Sequence, residues 1–209
     1  MELQYFGANC LKITTKKASI IIDCLPGLST KSMVKPGDTV LLTEPVDNFV
    51  ADDAKLIIDK PGEYEVGDTA VLGIPAKSYK GESNTFNNTI FKVENDEVSL
   101  AIIGNVSPEL SGAQLELLGE VDVVVIPVGG NDTELSGTDA LSITRNIEPF
   151  IIIPTSYDDK KTKYTTPHAL LSDALKEIAM EPSETVPKLK LKSANFVEGD
   201  NVKLIVLES

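Results

Sequence analysis

Histidine is almost missing from this sequence of 209 residues: His168 is the only one. Zinc centres draw on imidazole, thiolate or carboxylate, so this scarcity restricts any metal chemistry from the outset. Arginine is equally rare, with Arg145 alone and placed inside a predicted helix. With 32 acidic against 19 basic residues, a formal net charge of -13 argues against nucleic acid and anionic membranes as partners, whose phosphates need clustered Lys and Arg. No apolar run approaches the roughly 18 residues that a membrane-crossing helix needs. The opening M-E-L-Q-Y-F alternates like a strand and lacks a basic-then-apolar leader, so a cytoplasmic protein is expected. Only Cys10 and Cys24 carry thiols; both sit in apolar strand contexts, and in a reducing compartment they are expected as buried free thiols, with a disulfide the less favoured alternative. Tandem repeats, linkers and low-complexity stretches are absent as well.

What remains is ordinary globular material, 42% hydrophobic and 24% charged, enough to bury one core over residues 1–209, built as two fused αβ halves. Strand patterns cover residues 3–6, 10–14, 19–24, 40–42, 55–58, 71–75, 89–93 and 98–103, with hairpin chemistry at Pro61–Asp68 and an exposed polar loop at Gly81–Asn88. The rhythm then changes. Helices are predicted over 111–118, capped by Ser111 and stopped by Gly119, over 136–146, and over 167–180, started by Pro167; apolar strands lie between them at 121–127 and 150–153. Strands return at 188–191 and 202–207. Strands first, then βαβ-like units, then strands, suit an α/β protein with two sheets packed face to face and helices outside, a four-layer αββα sandwich.

The organising stretch is Thr39–Phe49, T-V-L-L-T-E-P-V-D-N-F, a buried strand that delivers a polar loop to the rim of a sheet. It resembles the metal-binding loop of the metallo-β-lactamase superfamily, in which such a strand runs into T-H-x-H-x-D-H. The resemblance extends along the chain in order, to the branch of ascorbate phosphate lactonase-like zinc hydrolases. Tyr5–Cys10 resembles Y-L-G-H-S-C, Pro61–Val66 resembles P-G-E-Y-E-V, and Gly73–Pro75 resembles the start of G-I-P-S-x-H-D. Asn88–Phe91 resembles N-T-I-F, Ile126–Gly130 resembles I-P-V-G-G, and Ile152–Tyr157 resembles I-V-I-P-M-H-Y.

The departures fall on the family's functional positions. Ala8, Glu44, Val46, Phe49, Ser78, Asn131 and Ser156 stand where the resemblance would put histidines, and Asn48 and Asn105 where it would put aspartates. Together with Asp47 these residues form the candidate vestigial pocket. A catalytic zinc needs about three imidazole, thiolate or carboxylate ligands plus an open position for water, which asparagine, serine, valine and phenylalanine do not supply. No metal, no cofactor and no catalytic residue is therefore expected. His168 reads as a surface or cap histidine on the third helix, away from these positions. An oxygen-ligand site for a hard cation, from Glu44, Asp47, Asn48, Asn105, Asp132, Ser156 and Asp158, is the weaker alternative; a Glu44–Asp47 acid–base pair is weaker again. Gly129–Gly130 reads as a tight turn that permits close backbone approach, or as an anion nest. Cys10 lacks a neighbouring base to make it a nucleophile.

The resemblance thus implies a metallo-β-lactamase-like scaffold that binds a small molecule or a protein partner without catalysis. Its rival is a divergent hydrolase of lactone or phosphoester-type substrates with a rebuilt oxygen-ligand or metal-free site. A third reading is a structural subunit, since related proteins form homo-oligomers. If Val46 and Phe49 keep the ligands' inward direction, Phe49 is expected to be largely buried and to close the space beneath the loop.

Overall fold

The computed structural model describes residues 1–24, 33–79, 86–131, 134–197 and 199–209. Fourteen strands and three α-helices follow in the order β1 (Glu2–Tyr5), β2 (Leu11–Thr14), β3 (Ser19–Ile22), β4 (Thr39–Leu41), β5 (Leu56–Ile58), β6 (Gly62–Val66), β7 (Thr69–Ala76), β8 (Asn88–Glu94), β9 (Ser99–Ile102), α1 (Gly112–Leu118), β10 (Val123–Pro127), α2 (Gly137–Ile147), β11 (Ile151–Thr155), α3 (Leu171–Ile178), β12 (Glu184–Val186), β13 (Leu189–Lys190) and β14 (Lys203–Leu207), the count applying to the described residues. Most of the loop expected at 81–88, and Asp132, lie outside the described residues.

The strands form two sheets, one ordered β13-β1-β2-β3-β4-β5 and one ordered β12-β14-β11-β10-β9-β8-β7-β6. Alternation sets the inner faces: Leu3, Tyr5, Leu11, Ile13, Ile20, Ile22 and Leu41 of the first sheet join Val71, Phe91, Leu100, Val125 and Ile153 of the second in one core. β10 and β11 are buried at every residue, because the helices cover their other face. Ser111, as expected, and Ser136 cap α1 and α2 through capping boxes. All three helices are built into the core on the larger sheet's side. The outer face of the smaller sheet is covered differently: Ile21, Val40 and Leu42 form a separate cluster against Val34, Phe49, Ala51 and Ala54, so that the returning 43–55 loop serves as its outer layer.

Two expectations are corrected. Cys10 and Cys24 are joined as a disulfide, with Cα atoms 4.4 Å apart; the β2–β3 ladder, which sets Leu11 opposite Ile22, delivers the two cysteines together just past its end. The third helix begins at Leu171, not at Pro167. Ahead of it, the Ala169 amide donates to the Gly129 carbonyl (2.7 Å) and the Asp158 amide donates to the Ala169 carbonyl (2.9 Å). These tertiary bonds hold the backbone extended, and helix propensity yields to them. Among the described residues no helix is long and apolar enough to cross a membrane.

Candidate functional site

The parallel strands β3 and β4 of the smaller sheet, and β9, β10 and β11 of the larger, all release their chains at one end of the sandwich. Loops leaving the carboxyl ends of such strands commonly form the working surface of α/β folds. Here they surround a cavity of about 500 Å³, into which Asp23 comes from the end of β3, Thr43–Asp47 from beyond β4, Asn105 from beyond β9, Glu134 from beyond β10 and Ser156 from beyond β11. Ala8 and Asn9 of the first turn, and Tyr164–Thr166 with His168, complete the wall.

Of the ten positions singled out in the sequence, the cavity brings together Ala8, Glu44, Val46, Asp47, Asn105 and Ser156. Asn48, Phe49, Ser78 and Asn131 do not line it. Ser78 bridges to Val106, and the Asn131 side-chain amide donates to the Pro167 carbonyl (3.3 Å). Phe49 is half-buried on the outer face of the smaller sheet, among Ile21, Val40 and Leu42. The expectation that it fills the space beneath the loop is overturned. The loop turns through Asn48 in the left-handed region (φ 55°), which sends the ring away from the cavity.

The wall is built by a few firm contacts. Ala8, also left-handed at φ 48°, is gripped on both sides: its amide donates to the Tyr164 hydroxyl (3.1 Å), and its carbonyl accepts from the Tyr5 hydroxyl and the Ser156 amide (2.8 Å each). Burial, with the charge of Asp159 nearby, pushes the Tyr164 hydroxyl up to about 12, so it remains a neutral donor, given to the Tyr157 carbonyl (3.0 Å). Asp23 receives the Thr43 amide (2.8 Å) and the Thr43 hydroxyl (2.6 Å), and so fixes the root of the 43–49 loop. Desolvation raises the Asp23 carboxyl to about 6, against the opposing pull of those two donors.

Sequence reasoning missed the opposite wall. Glu134 Oε2 accepts from the Ser156 hydroxyl (2.7 Å) and lies 3.0 Å from Nε2 of His168, at an angle that makes no hydrogen bond. His168 is a wall residue with a side chain 4% exposed, not a surface or cap histidine. Its ring stacks on Tyr164 at 3.7 Å, and Nδ1 meets the Thr166 carbonyl (2.9 Å), which fixes the proton on Nδ1 in the neutral ring. Gly129 makes this packing feasible, since a Cβ there would collide with the Glu134 carboxylate and the His168 ring. The close-approach reading of Gly129–Gly130 therefore holds. The Gly130 amide is not offered to an anion; it donates to the Leu135 carbonyl (2.9 Å). The one usable signal in the sequence was that the sole histidine follows a proline, which places it where a helix has yet to begin.

The donor set does not fit the zinc that the fold implies. Glu44, Asp47 and Glu134 are the carboxylates on the open wall and His168 the sole imidazole, and among the described residues no three His, Cys, Asp or Glu side chains converge to hold a metal ion. The hard-cation grouping is likewise divided: Asn48 and Asp158 do not line the cavity, and Asp132 falls outside the described residues. Burial and the charge of Glu134 hold the Glu44 carboxyl above its ordinary value, which marks the two carboxylates as mutually repelling neighbours. Chemically, the wall offers hydrogen-bond acceptors and negative charge.

Comparison with known proteins bears on the fold. Residues 2–156 match the family model of the "Beta-lactamase superfamily domain". A UPF0173 protein of Pyrococcus abyssi is 26% identical over 180 residues, spanning 75% of this chain and 83% of the relative. A Thermotoga maritima structure, proposed as a Zn-dependent hydrolase of the metallo-β-lactamase superfamily, superposes over the whole of both chains with a TM-score of 0.74 at 23% identity. Igni18, a metallo hydrolase of Ignicoccus hospitalis, superposes with a TM-score of 0.62 at 15% identity, covering 99% of this chain and 94% of its own.

Proposed function

This chain belongs to the β-lactamase superfamily, and from that premise we propose that it uses the superfamily's rim cavity to bind a small, donor-rich organic cation without hydrolysing it. The observation that carries the reading is the exchange of wall chemistry. The cavity is open, yet the positions that resemble the metal-binding loop present Glu44, Val46 and Asp47, and Glu134 faces Glu44 across the space. A zinc-bound water supplies the nucleophile in the parent chemistry because the metal lowers its pKa to ~7. Carboxylates and amides have no comparable effect on a water molecule. They do complement an ammonium or guanidinium group, whose N–H donors meet acceptors on both sides. Among the described residues of the wall His168 is the one basic side chain, which supports a cation over the anionic phosphoesters of the resemblance.

The test is a calorimetric titration with a panel of small primary amines and guanidines, set against phosphate- and carboxylate-bearing compounds of the same size. Binding should be confined to the cations. Glu44→Gln should weaken it about tenfold, the loss of one charge-assisted hydrogen bond of about 1.5 kcal/mol. Binding of the anions alone would reject the proposal.

A second reading, a metal-free hydrolase, is favoured by the contact chain Ser156–Glu134–His168. Its order counts against it. In a nucleophile relay the imidazole stands between hydroxyl and carboxylate, whereas here the carboxylate stands between the other two, and Ser156 is 1% exposed. Chelator-insensitive turnover of a lactone or phosphoester that is lost in Glu134→Gln would reinstate it.

A further inference from the structure

We propose that the Cys10–Cys24 disulfide is a redox latch on the cavity rim, released by a dithiol reductant. The bond is redundant for the sheet. β2 and β3 are already paired through Leu11↔Ile22, Lys12↔Ile21, Ile13↔Ile20 and Thr14↔Ser19, and the disulfide closes just past the end of that ladder. What it adds is a covalent tie between the two segments that diverge there, which are otherwise held by hydrogen bonds. Ala8 and Asn9 precede Cys10, Asp23 precedes Cys24, and all three line the cavity.

From Asp23 the constraint passes to the rim. Its carboxylate accepts both donors of Thr43, and the residues that follow Thr43 (Glu44, Pro45, Val46 and Asp47) form the cavity wall. Asp23 is held in the left-handed region, at φ 47°, with its carboxylate buried against desolvation. Near neutral pH, water would solvate that charge better than its present site does, so the tether at the next residue adds to the Asp23 amide's bond to the Leu41 carbonyl and to the Thr43 donors in opposing its escape. Release of the tether is therefore expected to loosen the Asp23–Thr43 clamp before it disturbs β10 or β11. The inference concerns access to the cavity and is independent of what the cavity binds.

The two sulfurs differ in access, since Cys10 is 2% exposed and Cys24 is half-buried. Attack by a reductant thiolate accordingly falls on Sγ of Cys24, breaking the S–S bond and expelling Cys10 as thiolate. The reductant's second thiol then displaces Cys24 and closes the reductant's own disulfide. Two electrons pass from the dithiol to the protein, and the two protons it gives up complete the Cys10 and Cys24 thiols.

Hydrogen exchange of the full chain tests the latch, comparing the oxidised protein, the same protein in dithiothreitol, and the double variant Cys10→Ser/Cys24→Ser. The expected result is exchange about tenfold or more faster at Thr43–Asp47 and Phe6–Asn9 in the reduced protein and in the variant, by local opening that is insensitive to low urea, while β10 and β11 change only with global stability. Reoxidation should restore the slow rates. Identical rates in both redox states would overturn the proposal. So would a bond that dithiothreitol cannot reduce in the folded chain, thiols that stay free under mild oxidant, or rim exchange that follows urea as β10 and β11 do, which would make the bond a stabiliser of the whole fold only.

Discussion

Replacing Asp23 with asparagine should flatten a pH dependence that the buried carboxylate imposes on the fold. The residue is 9% exposed, and desolvation lifts its pKa from 3.8 to about 6. The folded-state value is raised, so the fold binds this proton more tightly than the unfolded chain does. The stabilisation from that proton is complete below pH 3.8 and is lost as pH rises through about 6. At about 1.4 kcal/mol per pKa step the full loss is about 3 kcal/mol, of which about half falls between pH 5 and pH 8. That half is the practical window, because the protein is least soluble near its pI of about 4.5. Asparagine is nearly isosteric and tolerates φ 47°; its carbonyl can accept from the Thr43 amide while its NH₂ donates to the Thr43 hydroxyl. Urea unfolding of both proteins at pH 5, 6, 7 and 8, with the disulfide kept oxidised, yields the difference curve in which all other carboxylates cancel. Asp23→Asn should gain on the parent by about 1–2 kcal/mol between pH 5 and pH 8. A difference that stays constant across this range would refute the account of Asp23 as a charge held against its solvation.

The remaining expectations are simpler. Phe49→Ala should cost about 1–2 kcal/mol by urea unfolding, below the ~3–5 kcal/mol of a fully buried ring, because Phe49 is half-buried on the outer face of the smaller sheet. Gly129→Ala should destabilise by about 1–3 kcal/mol and release the Ser156–Glu134 contact, visible as a lower Tm and an altered His168 ring signal in NMR. Reduction of the disulfide, which joins residues 14 apart in the sequence, should lower stability by about 3 kcal/mol on the chain-entropy account, measured at a fixed pH with and without dithiothreitol.

Much of the fold was legible in the residues. Ser111 announced the first helix, and the apolar runs 121–127 and 150–153 read as strands, found as Val123–Pro127 and Ile151–Thr155. Helix propensity misled at 167–170, where the amide of Ala169 is claimed by Gly129 from the loop after β10. This single displacement hid His168, because a histidine on a helix face was expected to look outward. Phe49 was misplaced for a related reason. Its inward direction was inferred from the resemblance, whereas the left-handed turn at Asn48 decides it, and asparagine signals such a turn only weakly. The disulfide escaped because compartment, not geometry, was weighed. The β2–β3 register would have brought Cys10 and Cys24 together had it been known.

The central claim is that this member of the superfamily works without a metal, and metal content tests it most directly. The full chain should be produced in medium supplied with zinc and iron, purified without chelator, and analysed by plasma mass spectrometry alongside its Tm with and without EDTA. The account predicts well below one metal ion per chain and an unchanged Tm, because no metal-binding free energy is coupled to folding. Close to one zinc or iron per chain, with a Tm that falls by many degrees in EDTA, would contradict it.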